Sequence, residues 1–152
     1  RARLTARPIA KMAGVAACEI PQIDEWMIGA EAQVDALEMH AMFERWCAGQ
    51  RDRNLVGAPN SETLRDLMGR VVPAFQTIFD RHKNDGGVVA IVAHGGSISW
   101  TMPAFAQNLS LRYALENSLG NACSLAVVEV SGAPYVTRWD QDLFAGVEPA
   151  EH

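Results

Sequence analysis

Gly86 to Trp100 reads Gly-Gly-Val-Val-Ala-Ile-Val-Ala-His-Gly-Gly-Ser-Ile-Ser-Trp, and the reading of this stretch decides the fold. Val88 to Ala93 is an unbroken apolar run, rich in β-branched residues, after a Gly-Gly break. Such a run suits a strand covered on both faces, as in a parallel sheet. His94-Gly95-Gly96 then turns the chain, and Ser97 to Ala106 can wind back as a helix whose first turn holds Ser97 and Ser99. Strand, glycine turn and helix together aim free backbone N–H groups at an anion beyond the strand's carboxyl end. A histidine at that tip changes charge near neutral pH. A phosphate-handling site is the sharper reading, and a capped turn with a satisfied histidine is the plain alternative.

The totals narrow the classes. A chain of 152 residues is most simply one domain with a real core. A hydrophobic share of 49% and a charged share of 20% are ordinary for a globular protein. The net charge of −5, without a basic stripe, disfavours nucleic acid as a partner. Cys18, Cys47 and Cys123 are widely spaced and include no Cys-x-x-Cys, which argues against zinc or a disulfide framework and fits reduced thiols in the cytoplasm. No apolar run approaches the ~20 residues of a membrane span, so no membrane partner is expected. No signal-peptide pattern is present either. The chain opens without Met in the middle of a helical pattern, so residues before it are expected.

Outward from the central stretch, Arg1 to Ala13 has helix-forming composition with Leu4, Ile9 and Met12 for a buried face, and Gly14 closes it. Pro8 marks a kink or a first-turn position. Val15 to Ile20 has strand length and ends at Pro21, and Gln22 to Gly29 is a loop carrying Asp24, Glu25 and Trp26. Glu31 to Cys47 shows a helical period, and Ala48 to Asn60 reads as a loop. A further helix opens at Ser61-Glu62-Thr63-Leu64 with Asn60 or Ser61 as N-cap. Its buried stripe is Leu64, Leu67, Met68, Val71, Phe75, Ile78 and Phe79, with a bend predicted at Pro73. Asn84 to Gly87 ends it. Asn108 to Ser118 holds a short helix, and Ala122 to Val130 with Pro134 to Trp139 form a hairpin around Ser131-Gly132-Ala133. Residues 143–152 read as a mobile tail on a domain spanning 1–142. This order predicts an α/β protein, a sandwich with a mostly parallel sheet.

Four landmarks, in order, resemble the histidine phosphatase superfamily, the phosphoglycerate mutase-like branch 1 group. Arg1-Ala2-x-x-Thr5-Ala6 looks like the family's Arg-Ala-x-x-Thr-Ala helix start. Ile23-Asp24-Glu25-x-x-x-Gly29 is similar to its Leu-x-Glu-x-x-x-Gly loop. Pro59-Asn60-Ser61-Glu62-Thr63 resembles Pro-Gly-Gly-Glu-Ser with both glycines and the serine replaced. Val92-Ala93-His94-Gly95-Gly96 resembles the second-histidine motif, and Gly120-Asn121-Ala122 fits the usual ending. The family's first strand and its Arg-His-Gly, whose histidine is the nucleophile, have no match; Arg81-His82-Lys83 lacks the glycine and the strand. The resemblance therefore implies a three-layer sandwich that is N-terminally incomplete.

It also implies roles. His94 would hydrogen-bond the phosphoryl oxygens and stabilise charge during transfer. Arg1 would clamp phosphate with its guanidinium fork, unless it is only a surface charge. Glu25 would be the general acid, with Asp24 as rival and Trp26 as an apolar wall. Gly95, Gly96, Ser97 and Asn121 would bind substrate, although Ser97 serves equally as a helix cap. Glu62 reads as a carboxylate at a helix N-terminus. His40, His82 and His152 read as solvated.

The activity implied is a phosphomonoester hydrolase using a phosphohistidine intermediate on a small phosphorylated metabolite, with no metal or organic cofactor. Trp26 and Ile28 stand where the mutases' loop carries Arg and Tyr, so phosphatase is preferred to phosphoglycerate mutase. Without the nucleophile, the chain as given is expected to be inactive alone. A degenerate, non-catalytic phosphate-binding or regulatory module is the alternative. A serine hydrolase, suggested by Gly95-Gly96-Ser97-Ile98-Ser99, fails on the last glycine and on the triad. Expected partners are a phosphorylated substrate or inorganic phosphate, and a homodimer is one arrangement that would cover an exposed sheet edge.

Overall fold

Leu64, Leu67, Val71 and Phe75 fall on one face of a helix, and the computed structural model buries all four in helix α2, Leu64–His82. It describes residues 1–27, 41 and 62–140, with the backbone of 142–143. The expected helix at 31–47 and loop at 48–60 thus lie outside the described residues, apart from Ala41, as does the tail beyond 143. Helix α1, Ala2–Ala13, ends at Gly14, whose φ of 66° is the left-handed turn that glycine adopts without a Cβ clash. Its apolar face is not buried: Leu4 is 72% and Met12 90% exposed.

The N-cap of α2 is Thr63, two residues later than Ser61. Its hydroxyl accepts from Asp66 N while the Asp66 carboxylate takes Thr63 N, a reciprocal capping box. Pro73 lies inside the continuous helix α2, and the carbonyl of Pro73 accepts from the Thr77 hydroxyl. Helix α3, Gly95–Phe105, begins two residues before the expected start, with His94 as N-cap. It packs on α2 through Phe105, whose ring meets Phe75 at 5.7 Å and Phe79 at 5.9 Å between centroids. Helix α4, Leu111–Glu116, is capped by Ser110, whose hydroxyl accepts from Tyr113 N.

Strands β1, Leu125–Val130, and β2, Ala133–Trp139, form the hairpin the alternation predicts. Ser131 and Gly132 both have positive φ, 52° and 86°, the sense of turn that matches strand twist in a two-residue hairpin loop. Strand β3, Asp142–Leu143, pairs antiparallel with β2. Trp139 is buried beneath the hairpin, edge-on to Tyr113, and donates from Nε1 to the carbonyl of Asn117 at 2.6 Å.

The sheet expectation is met only in part among the described residues. Neither Val88 to Ala93 nor Val15 to Ile20 is a strand in this structure, and the sheet of the described residues is antiparallel throughout. The reason is pairing. A strand exists only where its N–H and C=O groups meet a neighbouring backbone. Among the described residues none meets 88–93, and Val88 is left 98% exposed.

Candidate functional site

Glu25 reaches the N-terminus of α3 from a loop that follows a single 3-10 turn, Pro21–Ile23. Ile23 and Trp26 are buried on either side of it, and Trp26 stacks edge-on against Trp100 of α3 at 5.6 Å. Two apolar anchors therefore hold the loop against α3 while Glu25, between them, stays half-buried. Its Oε1 accepts from Ser97 N at 2.8 Å and from Trp26 N at 2.9 Å. Its Oε2 lies 3.9 Å from His94 Nδ1 and makes no hydrogen bond among the described residues. A carboxylate at this point meets the unsatisfied N–H groups and the positive end of a helix dipole.

His94 stands at the N-cap with its ring largely covered, the side chain being 16% exposed. Its carbonyl accepts from Ile98 N and from the Ser97 hydroxyl. Ser97 is fully buried, so its hydroxyl serves the helix start while its N–H serves Glu25. Ser99 is also buried, and its hydroxyl has no partner among the described residues.

Gly95 and Gly96 do not form the turn expected of them; they are the first two residues of α3. Space is what requires glycine. A Cβ on Gly95 would lie 2.7 Å from the Leu119 carbonyl oxygen, and one on Gly96 would lie 2.9 Å from Glu25 Oε1. Their own N–H groups donate to no acceptor among the described residues, as is usual in the first turn of a helix.

Glu25, His94, Gly95, Gly96 and Ser97 thus come together. Arg1 does not join them: it is exposed at the N-cap of α1 and contacts none of the group among the described residues. Asn121 is exposed in the turn before β1 and makes no bond to His94 there. Asp24 is exposed and makes no side-chain hydrogen bond among the described residues, so of the two loop carboxylates only Glu25 reaches the start of α3. No cluster of three or more His, Cys, Asp or Glu suited to a metal occurs among the described residues.

Glu62 departs from its expected role. Instead of facing a helix N-terminus it pairs with Arg70: Nε donates to Glu62 Oε1, and NH2 to Oε2 at 2.7 Å. Hydrogen bonding to Glu62 pushes the Arg70 guanidinium further above its ordinary value, and burial only partly opposes this. Arg70 is the residue that motif reading misses. Its signal is periodicity: it lies one turn beyond buried Leu67 and beside Val71, where a charge requires partners. His82, read as solvated, pairs with Asp85 at 2.7 Å while remaining 39% exposed.

No helix among the described residues is long and apolar enough to cross a membrane. No curated protein and no solved structure matches the chain. A family model does match, over residues 1–142, and it takes in the Glu25 loop, the Glu62 turn and the His94 helix start alike. By that match the chain belongs to the histidine phosphatase superfamily, branch 1, a family of α/β proteins whose members are generally phosphatases or mutases.

Proposed function

We propose that this corner is part of a phosphoryl-transfer site, and that the protein is a phosphomonoesterase acting through a phosphohistidine on a small phosphorylated metabolite. The observation that carries the reading is the Glu25 carboxyl held against the N-terminus of α3, with its free oxygen facing His94. In this reading the phosphoryl group binds at the amides of Gly95 and Gly96, and His94 donates to its oxygens as negative charge develops. Oε1 of Glu25 is taken by N–H donors, so Oε2 carries the proton that the leaving alkoxide needs. Arg1 completes the clamp only if α1 is brought to the site.

None of the four histidines stands between Arg and Gly, the setting of the nucleophile in the family resembled. The three-layer sheet belongs to the same proposal. Val88 to Ala93 becomes a strand when a neighbouring backbone pairs with it. The free thiols of Cys18 and Cys123 fit a reducing compartment, and we assign the protein to the cytoplasm. The preference for phosphatase over mutase is supported by Trp26, whose ring is buried in the core and gives no charge to an acidic substrate.

A non-catalytic phosphate-binding or regulatory module is the second reading. It is favoured by one fact: Glu25 itself occupies the Ser97 N–H. Phospho-enzyme trapping distinguishes the two. Incubated with a labelled aryl phosphate, the 152-residue chain should form no acid-labile, base-stable phosphohistidine. The chain supplied with a strand ending in Arg-His-Gly should form it. A labelled but unextended chain that loses the label on His94→Ala would make His94 the nucleophile and overturn the assignment. An extended chain that binds phosphate without labelling would support the module.

A further inference from the structure

All five N–H donors of Arg70 are engaged, and three of them meet the backbone of the loop that carries Glu25. NH1 donates to the carbonyls of Gln22 at 2.8 Å and Asp24 at 2.9 Å, and NH2 donates to the carbonyl of Glu25 at 3.0 Å. The remaining donations go to Glu62. Glu62 grips the other side of the loop. Its Oε2 accepts from Met27 N at 3.3 Å, its own N–H donates to the Met27 carbonyl at 2.7 Å, and its carbonyl accepts from Trp26 Nε1 at 2.8 Å. Every residue from Gln22 to Met27 except Ile23 is therefore bonded directly to position 62 or 70, and Ile23 is buried.

We infer that Arg70, paired with Glu62, is the positioning residue for Glu25, fixing the loop backbone so that the carboxyl falls on Ser97 N–H beside His94. The inference rests on the reading of Glu25 as the acid of the site. With the Glu25 carbonyl drawn toward α2, the side chain projects the other way, and only its χ angles remain to be set. The ion pair itself is a poor source of stability, because desolvating both charges offsets most of their attraction. What the pair supplies is location. A guanidinium fork can hold three carbonyls and a carboxylate in one plane, whereas a lysine ammonium, with three donors on a flexible stem, cannot.

The test reads Glu25 through its hydrogen-bond partner in the whole chain and requires no turnover. Because Glu25 Oε1 accepts from Ser97 N–H, protonating the carboxyl moves the Ser97 amide resonance. In the unaltered protein that amide should move when the carboxyl takes up a proton, and Glu25→Gln should abolish the movement. Arg70→Gln and Arg70→Lys should each lose most of its amplitude while the amides of β1 and β2 stay in place. Full amplitude in both variants overturns the inference. A Ser97 amide that does not titrate in the unaltered protein sinks the Glu25 placement itself, which is the failure of the underlying reading. If Arg70→Gln does not fold, the double variant Arg70→Met with Glu62→Gln leaves no unpaired buried charge and gives the same measurement.

Discussion

The Gln22 to Met27 loop and the Val88 to Ala93 segment converge on the N-terminus of α3 and are held in opposite ways. The loop has no strand and almost no helix, yet its carbonyls are bonded, and Ile23 and Trp26 are buried. The segment has the composition of a core strand, yet its backbone meets no described neighbour, and Val88, Val89 and Ile91 are exposed. Apolar β-branched composition is thus neither necessary nor sufficient for order at this corner. What counts is whether a partner is present for each backbone group.

The largest effect should come from setting the buried helix against the exposed segment. Leu67→Ala empties a fully buried position on α2 and should cost about 2–5 kcal/mol in denaturant unfolding. Val88→Thr changes a side chain that is 98% exposed and should stay within about 0.5 kcal/mol. A comparable loss at Val88 would mean that the segment is packed in solution, and the contrast would break.

A middle-sized effect sharpens the comparison at the joint itself. Gly95→Ala drives a methyl to within 2.7 Å of the Leu119 backbone oxygen, which cannot rotate away. A loss of about 1–3 kcal/mol is expected. Gly87→Ala, in open space at the other end of the segment, should be within about 0.5 kcal/mol of the parent. Equal losses at the two glycines would show that helix-start packing is no tighter than the exposed segment.

The smallest effect concerns pH. The Thr63 hydroxyl, then its amide, hold the Asp66 carboxylate below its ordinary range. A carboxyl lowered in the folded state stabilises above its unfolded value, and that contribution is lost as pH falls through the lowered native value. Amide protection factors in the first turn of α2, with the intrinsic pH dependence of exchange divided out, should therefore fall on acidification, and Asp66→Asn should flatten the response. An unchanged profile in Asp66→Asn would remove the capping box as its cause.

Local elements were legible before the structure. The α2 stripe, the Gly14 stop and the hairpin turn depend on neighbours within a few residues, and they stand where periodicity and turn chemistry put them. Elements that depend on distant partners were not. Val88 to Ala93 required a paired backbone that its own residues cannot supply. Glu62 was assigned to the nearest helix end, whereas its partner lies eight residues on and the load it shares is in the Gln22 to Met27 loop. At the candidate site, the ordered motifs pointed to Glu25 and His94, which the fold brings within 3.9 Å of each other. The need for Gly96 was not, since it arises from a carboxyl 71 residues earlier in the chain.

The outer edge of β2 has a consequence for how this sheet can grow. Its alternate outward positions are all taken: the Pro134 carbonyl by Gln107 N, both backbone groups of Val136 by the Asn108 side-chain amide, and Arg138 by Leu143 of β3. Asn108 substitutes for a strand residue there, offering an acceptor and a donor spaced like a peptide unit. That flank is terminated, and β1 presents the open flank of the hairpin among the described residues. A further strand would therefore find unpaired backbone at the two edges of the sheet, beside Leu125–Val130 or on the outer side of β3, and none along the capped part of β2.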